Sequence, residues 1–317
     1  MNDKDQDRCG DSAGPSANDD AGPHERNIAK AILFALIVVC VPLSLLAQTA
    51  RGLSLSINAG TLFADDYHAA FYSGIPTNAN TVERLLHSQQ YGEQMWTDLA
   101  SQGLISSSIG NYRQLTVAEY GQMHYRLSMQ LGVGFRYDFG RNWAWLVRFD
   151  YAKLNAVGQF LLNSGRNNST TLTNQDAYVA CPVVGSEKRI VIDLALSHRF
   201  PLNDRAFLQA DLGASLNNTK VLANDIQVAG RAYSILDVWR GQSPDYGMQG
   251  YDYINQGGMG YGGFFTIGYG LDLGHGNSAL LHYTLYYTQT NLQHYALFTP
   301  QNLIGLRFEL GNFSFLR

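Results

Sequence analysis

Charge is scarce in this chain. Asp, Glu, Lys and Arg make up 15% of its 317 residues, against the roughly 25% usual in soluble domains. The net charge of −4 excludes the basic bias of a nucleic-acid-binding surface. Cysteine is nearly absent too. Cys9 and Cys40 lie in or before an N-terminal leader, which leaves Cys181 alone in the rest of the chain and excludes an internal disulfide there. Cys181 reads as an incidental loop residue before Pro182 or as a reactive surface thiol. After the leader no apolar run approaches the ~18 residues of a spanning helix. With a mean hydropathy of −0.16, that excludes a helical membrane protein. The histidines form no metal-ligand cluster, and no cofactor is expected. The glycine-rich stretch Gly260–Phe264 opens a strand and not a helix, so it lacks the helix N-terminus by which such a loop would cradle phosphate.

What is present is alternation. In 122–139 every second residue from Tyr125 is apolar or aromatic: Tyr125, Leu127, Met129, Leu131, Val133, Phe135, Tyr137, Phe139. Between them stand Arg126, Ser128, Gln130, Gly132, Gly134, Arg136 and Asp138. Successive strand side chains point to opposite faces. This segment therefore has a greasy face and a polar face, over about twice the length of a soluble strand. Lipid on one side and a polar lumen on the other suit it.

The same pattern predicts eight strands, at 52–63, 122–139, 143–162, 187–200, 206–216, 260–273, 278–290 and 302–313. Short turns at 140–142, 201–205 and 274–277 alternate with loops at about 64–121, 163–186, 217–258 and 291–301. An outer-membrane barrel sorts its connections in this way, with short periplasmic turns and longer extracellular loops. A soluble sandwich has no reason to. The expected fold is all-β: an eight-stranded antiparallel up-and-down transmembrane barrel with a helix in its first extracellular loop. A ten-stranded ring, with a further hairpin inside a long loop, is also compatible. The helix is expected at 81–101, capped by Asn80 with Glu83 completing a capping box and weakened by Gly92.

Residues 1–27 are polar and small and read as a disordered extension. Residues 28–47 resemble a secretory signal peptide, with Arg26 and Lys30 before the apolar core 31–46 and cleavage before Gln48. The barrel domain is then 48–317.

On strand pattern, loop alternation and the aromatic-rich last strand LIGLRFELGNFSFLR, the region from Leu53 to Phe315 is similar to the small outer-membrane β-barrel proteins, the group of the OmpA transmembrane domain and OmpX-type barrels. The resemblance implies an outer-membrane location after secretion across the inner membrane, lipid as the surroundings, and an insertion machinery that reads the terminal aromatics Phe313 and Phe315. It specifies architecture far more than activity.

The expected lipid face includes Leu127, Leu131, Phe135, Ile192, Leu194, Ile267, Leu285 and Leu306. The expected lumen set is Arg126, Arg136, Asp138, Arg148, Asp150, Asp193, Arg199, Asp211, Asp272, His282, Arg307 and Glu309. An eight-stranded barrel is just wide enough for its side chains to fill it, and buried charges must pair. The balanced set therefore reads as a salt-bridged plug, with a narrow charge-selective channel as the other reading. His282 reads as a member of that network or as a proton-sensitive gate. Enzymatic chemistry needs a positioned nucleophile or base. His124 with Asp176 or Asp225 offers no motif for one, so no enzyme is expected. The polar outer loops suit recognition of an extracellular ligand, which the residues do not identify. Two roles follow: a structural or surface-interaction barrel with a plugged lumen, or a small-solute channel gated by loop one.

Overall fold

The computed structural model describes residues 52–78, 80–166, 177–236 and 256–311. The extension 1–27, the leader 28–47, Asp176, Phe313 and Phe315 lie outside them.

Eight long strands form a closed ring. They are β1 (Leu53–Phe63), β2 (Ser128–Asp138), β3 (Trp143–Asn163), β4 (Tyr178–Pro201), β5 (Ala206–Val228), β6 (Met259–Gly274), β7 (Asn277–Gln289) and β8 (Phe298–Leu310). Each pairs antiparallel with the next. β8 closes on β1, from Leu55↔Leu310 to Phe63↔Asn302. Closure leaves the ring without an edge strand and satisfies the backbone groups within it, which a lipid environment demands. Among the described residues no helix is long and apolar enough to cross a membrane.

Turn chemistry fixes one end. His275 and Gly276 join β6 to β7 with φ of 56° and 80°, the left-handed pair that a two-residue hairpin requires. At 202–205 the Asn203 Oδ1 accepts from the N–H groups of Arg205 and Ala206 at 2.9 and 2.8 Å. The outward faces carry the apolar residues, Leu212 at 68% exposed and Leu131, Leu194, Ile267 and Leu306 near half.

The long-loop end differs from expectation in four respects. β3 and β4 run on past the predicted boundary, pairing up to Asn163↔Tyr178, so much of the polar loop expected at 163–186 is strand. Cys181 lies within β4, buried against the core, and is neither a loop residue nor a surface thiol. Within the loop expected at 217–258, β5 continues to Val228 and turns through Ala229 and Gly230 into a short strand, Arg231–Ser234. Among the described residues that strand pairs only with β5, and β5 itself pairs with β6, so the added hairpin exists and the ring stays eight-stranded. Finally, the strand expected over 122–139 is interrupted. His124–Tyr125 pairs with Val157 and Ala156 of β3, and the regular ladder begins only at Ser128.

Loop one folds into the mouth. It contains α1 (Asp66–Ala69), a 3₁₀ turn (Ala70–Ser73), α2 (Val82–Leu86) and α3 (Gln89–Ser101). The single helix expected at 81–101 is thus two helices. Thr81 caps α2, and the Ser88 hydroxyl accepts from the Tyr91 N–H at 3.2 Å to start α3. Asn80 caps neither; it is buried and exchanges two amide hydrogen bonds with Gln256, at 2.7 and 2.8 Å. Gly92 lets α3 pass the end of α2, since a Cβ there would sit 2.0 Å from the Leu86 carbonyl oxygen.

The faces of these helices supply Val82, Leu85, Leu86, Met95 and Leu99 to one buried cluster. The ring contributes Ala156, Phe160 and Leu162 of β3, Cys181 and Val183 of β4, and Ile226 and Val228 of β5. Loop one is therefore a cap with its own hydrophobic core, seated in the extended part of the barrel.

Candidate functional site: the lumen and its cap

The inward side chains of the ring form three layers of charge below the cap. At the short-turn mouth, Arg136 donates to Asp138 Oδ1 at 2.9–3.0 Å and to Ser197 Oγ at 2.9 Å. Arg199 pairs with Glu309 and donates to Gln209 Oε1 at 3.0 Å. Asp138, Arg199 and Glu309 line an open cavity of about 460 Å³ at that end of the barrel.

The middle layer crosses the ring. Arg148 on β3 donates to Asp193 of β4, its cross-strand partner, at 2.5 Å, and to the Tyr286 hydroxyl of β7 at 3.1 Å. Tyr286 in turn donates to Asp193 at 3.0 Å, and the Arg148 guanidinium lies 4.9 Å from the Phe264 ring of β6. Arg307 on β8 reaches Asp211 on β5 at 3.1 Å and Asn58 of β1 at 3.2 Å. Asp150 is buried with an oxygen 4.0 Å from the Arg148 guanidinium. His282 is buried in the wall, its Nδ1 3.3 Å from Thr284 Oγ1.

The third layer joins barrel to cap. Arg189 and Glu187 pair at 2.6 Å, and Arg189 also donates to Gln301 Oε1 at 2.8 Å. The Glu187 carboxylate accepts from the hydroxyls of Tyr72, in the cap, at 2.6 Å and of Tyr125 at 3.0 Å. Burial and the neighbouring carboxylate hold the Tyr72 hydroxyl protonated well above its ordinary range, as a donor must be. Between this layer and the middle one lies a void of about 20 Å³, room for about one water molecule.

One residue of the expected lumen set is elsewhere, and another stands at its rim. Arg126 is exposed on the outer wall, because the break before Ser128 shifts the inside–outside parity. The same shift brings Tyr125, expected outside, into contact with Glu187 and Arg189. Asp272 lines the cavity at the short-turn rim but joins no ion pair among the described residues; its Oδ1 accepts from the Gly274 N–H at 2.8 Å. Leu127, expected on the lipid face, lies just before β2 and is 70% exposed. His124 sits against Asp66 at 2.8 Å on the surface, not against Asp225.

Glu187 and Arg189 belong to the buried network, and sequence reasoning passed over them. The signal was there: both share the odd-numbered parity of Asp193, Ser197 and Arg199 on β4. Tyr286 was hidden by its neighbour Tyr287, which faces outward.

Gly185 matters to the join. A Cβ there would lie 2.2 Å from the Tyr72 ring. Gly185→Ala is therefore expected to push Tyr72 off Glu187 and destabilise the cap by about 1–3 kcal/mol, the usual cost of overpacking. Hydrogen exchange in 66–101 should speed up while β6–β8 stay protected; unchanged exchange in the cap would contradict this.

No family model matches the chain, and no curated protein matches it. Solved structures similar to it include three small proteins of bacterial surfaces. Neisserial surface protein A (NspA) aligns at 8% identity over 82% of this chain and 97% of its own, with a TM-score of 0.36. OprG from Pseudomonas aeruginosa, an outer membrane protein, aligns at 10% identity over 83% and 98%, with a TM-score of 0.36. Ail, the attachment invasion locus protein of Yersinia pestis, aligns at 10% identity over 82% and 99%, with a TM-score of 0.28.

Proposed function

We propose that this chain is an outer-membrane barrel closed to solutes, which acts as a structural and surface-interaction protein through its capped, long-loop end. The observation that carries this reading is the ion pair of Arg307 on β8 with Asp211 on β5, which bridges non-neighbouring strands through the lumen. Paired charges in a narrow barrel close onto each other. The apolar outer belt suits lipid, and the short turns would then face the periplasm. The last strand would be the one that the insertion machinery reads, and the long loops would meet an extracellular ligand.

Planar-bilayer recordings test it. The inserted full chain is expected to be silent. Discrete openings in the intact protein would overturn the reading.

A second reading has one observation in its favour: the open cavity of about 460 Å³ at the short-turn mouth would serve as the vestibule of a small-solute channel gated by loop one. It expects currents once residues 81–101 are deleted. Silence from that variant too, with insertion verified, would leave the plug.

A further inference from the structure

Three lysines stand side by side on the outer wall. The strand registers pair Lys153 of β3 with Lys188 of β4, and Lys188 with Lys220 of β5. Each is flanked in sequence by buried inward residues: Ala152 and Leu154, Glu187 and Arg189, Thr219 and Val221. The three therefore face outward. Strands lie about 4.8 Å apart, so the row spans about 10 Å. Arg126 extends it by one segment. This residue is exposed, and its N–H donates to the Asn155 carbonyl at 2.9 Å, two residues along β3 from Lys153. None of the four makes an ion pair among the described residues.

Like charges directly opposite one another weaken a sheet. The usual reason for lysines on a strand is to guard an exposed edge, and a closed ring has no edge. Their height on the wall is informative. On β3 the outward belt begins at Trp143 and ends at Tyr151. Ten residue steps of about 3.4 Å, tilted about 40°, place Lys153 roughly 26 Å above Trp143. That is where an apolar belt of about 25 Å gives way to headgroups. Elsewhere around the ring the same boundary is marked by uncharged aromatics: Tyr287 stacks on Phe298, and Tyr261 meets Phe298 edge-on.

We infer that the outer wall of β3–β5 binds the phosphate groups of a lipid headgroup at the long-loop boundary of the belt. A row of ammonium groups in low dielectric is relieved by a multiply charged anion and by little else. Lysine serves as a point-charge phosphate ligand, and Arg126 adds a bidentate donor at one end. The site rests on the bilayer-spanning reading and goes beyond it, since a structural barrel needs only neutral lipid.

The test uses the full chain and its Lys153→Gln/Lys188→Gln/Lys220→Gln variant. Both are refolded into phosphatidylcholine vesicles with and without phosphatidic acid, and insertion is scored by protease protection. Wild type is expected to retain phosphatidic acid on transfer to detergent, read by native mass spectrometry, and the variant to bind it about 100-fold more weakly, at about fivefold per lysine. In neutral lipid the variant should be at least as heat-stable as wild type, because the repulsion is gone. Only with phosphatidic acid should wild type lead. Equal lipid retention by the two inserted proteins, or no retention by wild type, would overturn the site. Failure of wild type to insert into either vesicle would overturn the bilayer-spanning reading and the site with it.

Discussion

Asp211→Ala is expected to destabilise the barrel by about 3–5 kcal/mol, the cost of leaving a buried charge without its partner. Asp211 and Arg307 are both fully buried, 3.1 Å apart. The remaining acceptor for Arg307 is the neutral Asn58 side-chain oxygen, at 3.2 Å. The guanidinium cannot shed its proton to escape. Removing both charges is a different matter. Asp211→Leu/Arg307→Met exchanges the pair for apolar volume, which is often neutral or stabilising. Guanidinium unfolding in vesicles, followed by the loss of protease protection, would measure both variants. A double variant as unstable as the single one would mean that packing, not pairing, accounts for the loss. A single variant within 1 kcal/mol of wild type would mean that the lumen is wet enough to solvate Arg307, and the plugged reading would fail with it.

The pairing could be anticipated only in part, and the reason is physical. Inside the lipid belt, one face must be apolar and the other polar, so parity reads directly from the sequence. Trp143 to Tyr151 and Ile190 to Leu196 show it, and Arg148, Asp193 and Arg307 fall where alternation puts them. Above the belt the pattern inverts. Ala156, Phe160 and Leu162 point inward to meet the cap, while Lys153, Asn155 and Gln159 point out. In 178–186 the inward residues are Cys181, Val183 and Gly185, small because Tyr72 and the cap fill the space. A search for apolar residues on the outside finds a loop there. The displacement of Arg126 has another cause. Alternation in the sequence continues unbroken through Tyr125 and Leu127, whereas the backbone loses register between the pairings at Tyr125↔Ala156 and Gln130↔Ala152. Nothing in side-chain character marks an irregularity of one residue. The helix break is similar: Ser88 becomes a cap only because Gly92 allows α3 to fold back over Leu86.

Acid is expected to loosen the cap before it unfolds the barrel, and His68 is the residue through which it acts. His68 lies in α1, fully buried, with its ring 5.4 Å from that of Tyr67 and its Nδ1 3.4 Å from Thr299 Oγ1 of β8. Burial, and then the positive charge of Arg189, lower its pKa from 6.5 to about 3. A group whose pKa is depressed in the docked state contributes stability that is complete above 6.5. That stability is lost as pH falls toward about 3, because only the undocked cap takes up the proton. At pH 4 the loss amounts to about 3 kcal/mol at 1.36 kcal/mol per pH unit, on the order of a hundredfold in the undocked fraction. Carboxylates also stand at the join, Glu187 beneath Tyr72 and Asp66 against His124. His68→Gln separates them, since it removes this proton alone. Proteolysis within 81–101 should accelerate from pH 7 to pH 4 in wild type about a hundredfold more than in the variant, with the ring strands still protected. An identical pH dependence in the two proteins would clear His68 and assign the acid response to the carboxylates beneath the cap. If conductance appears only at acid pH in wild type, and is absent in His68→Gln, then the cap is a gate and the closed barrel is its neutral-pH state.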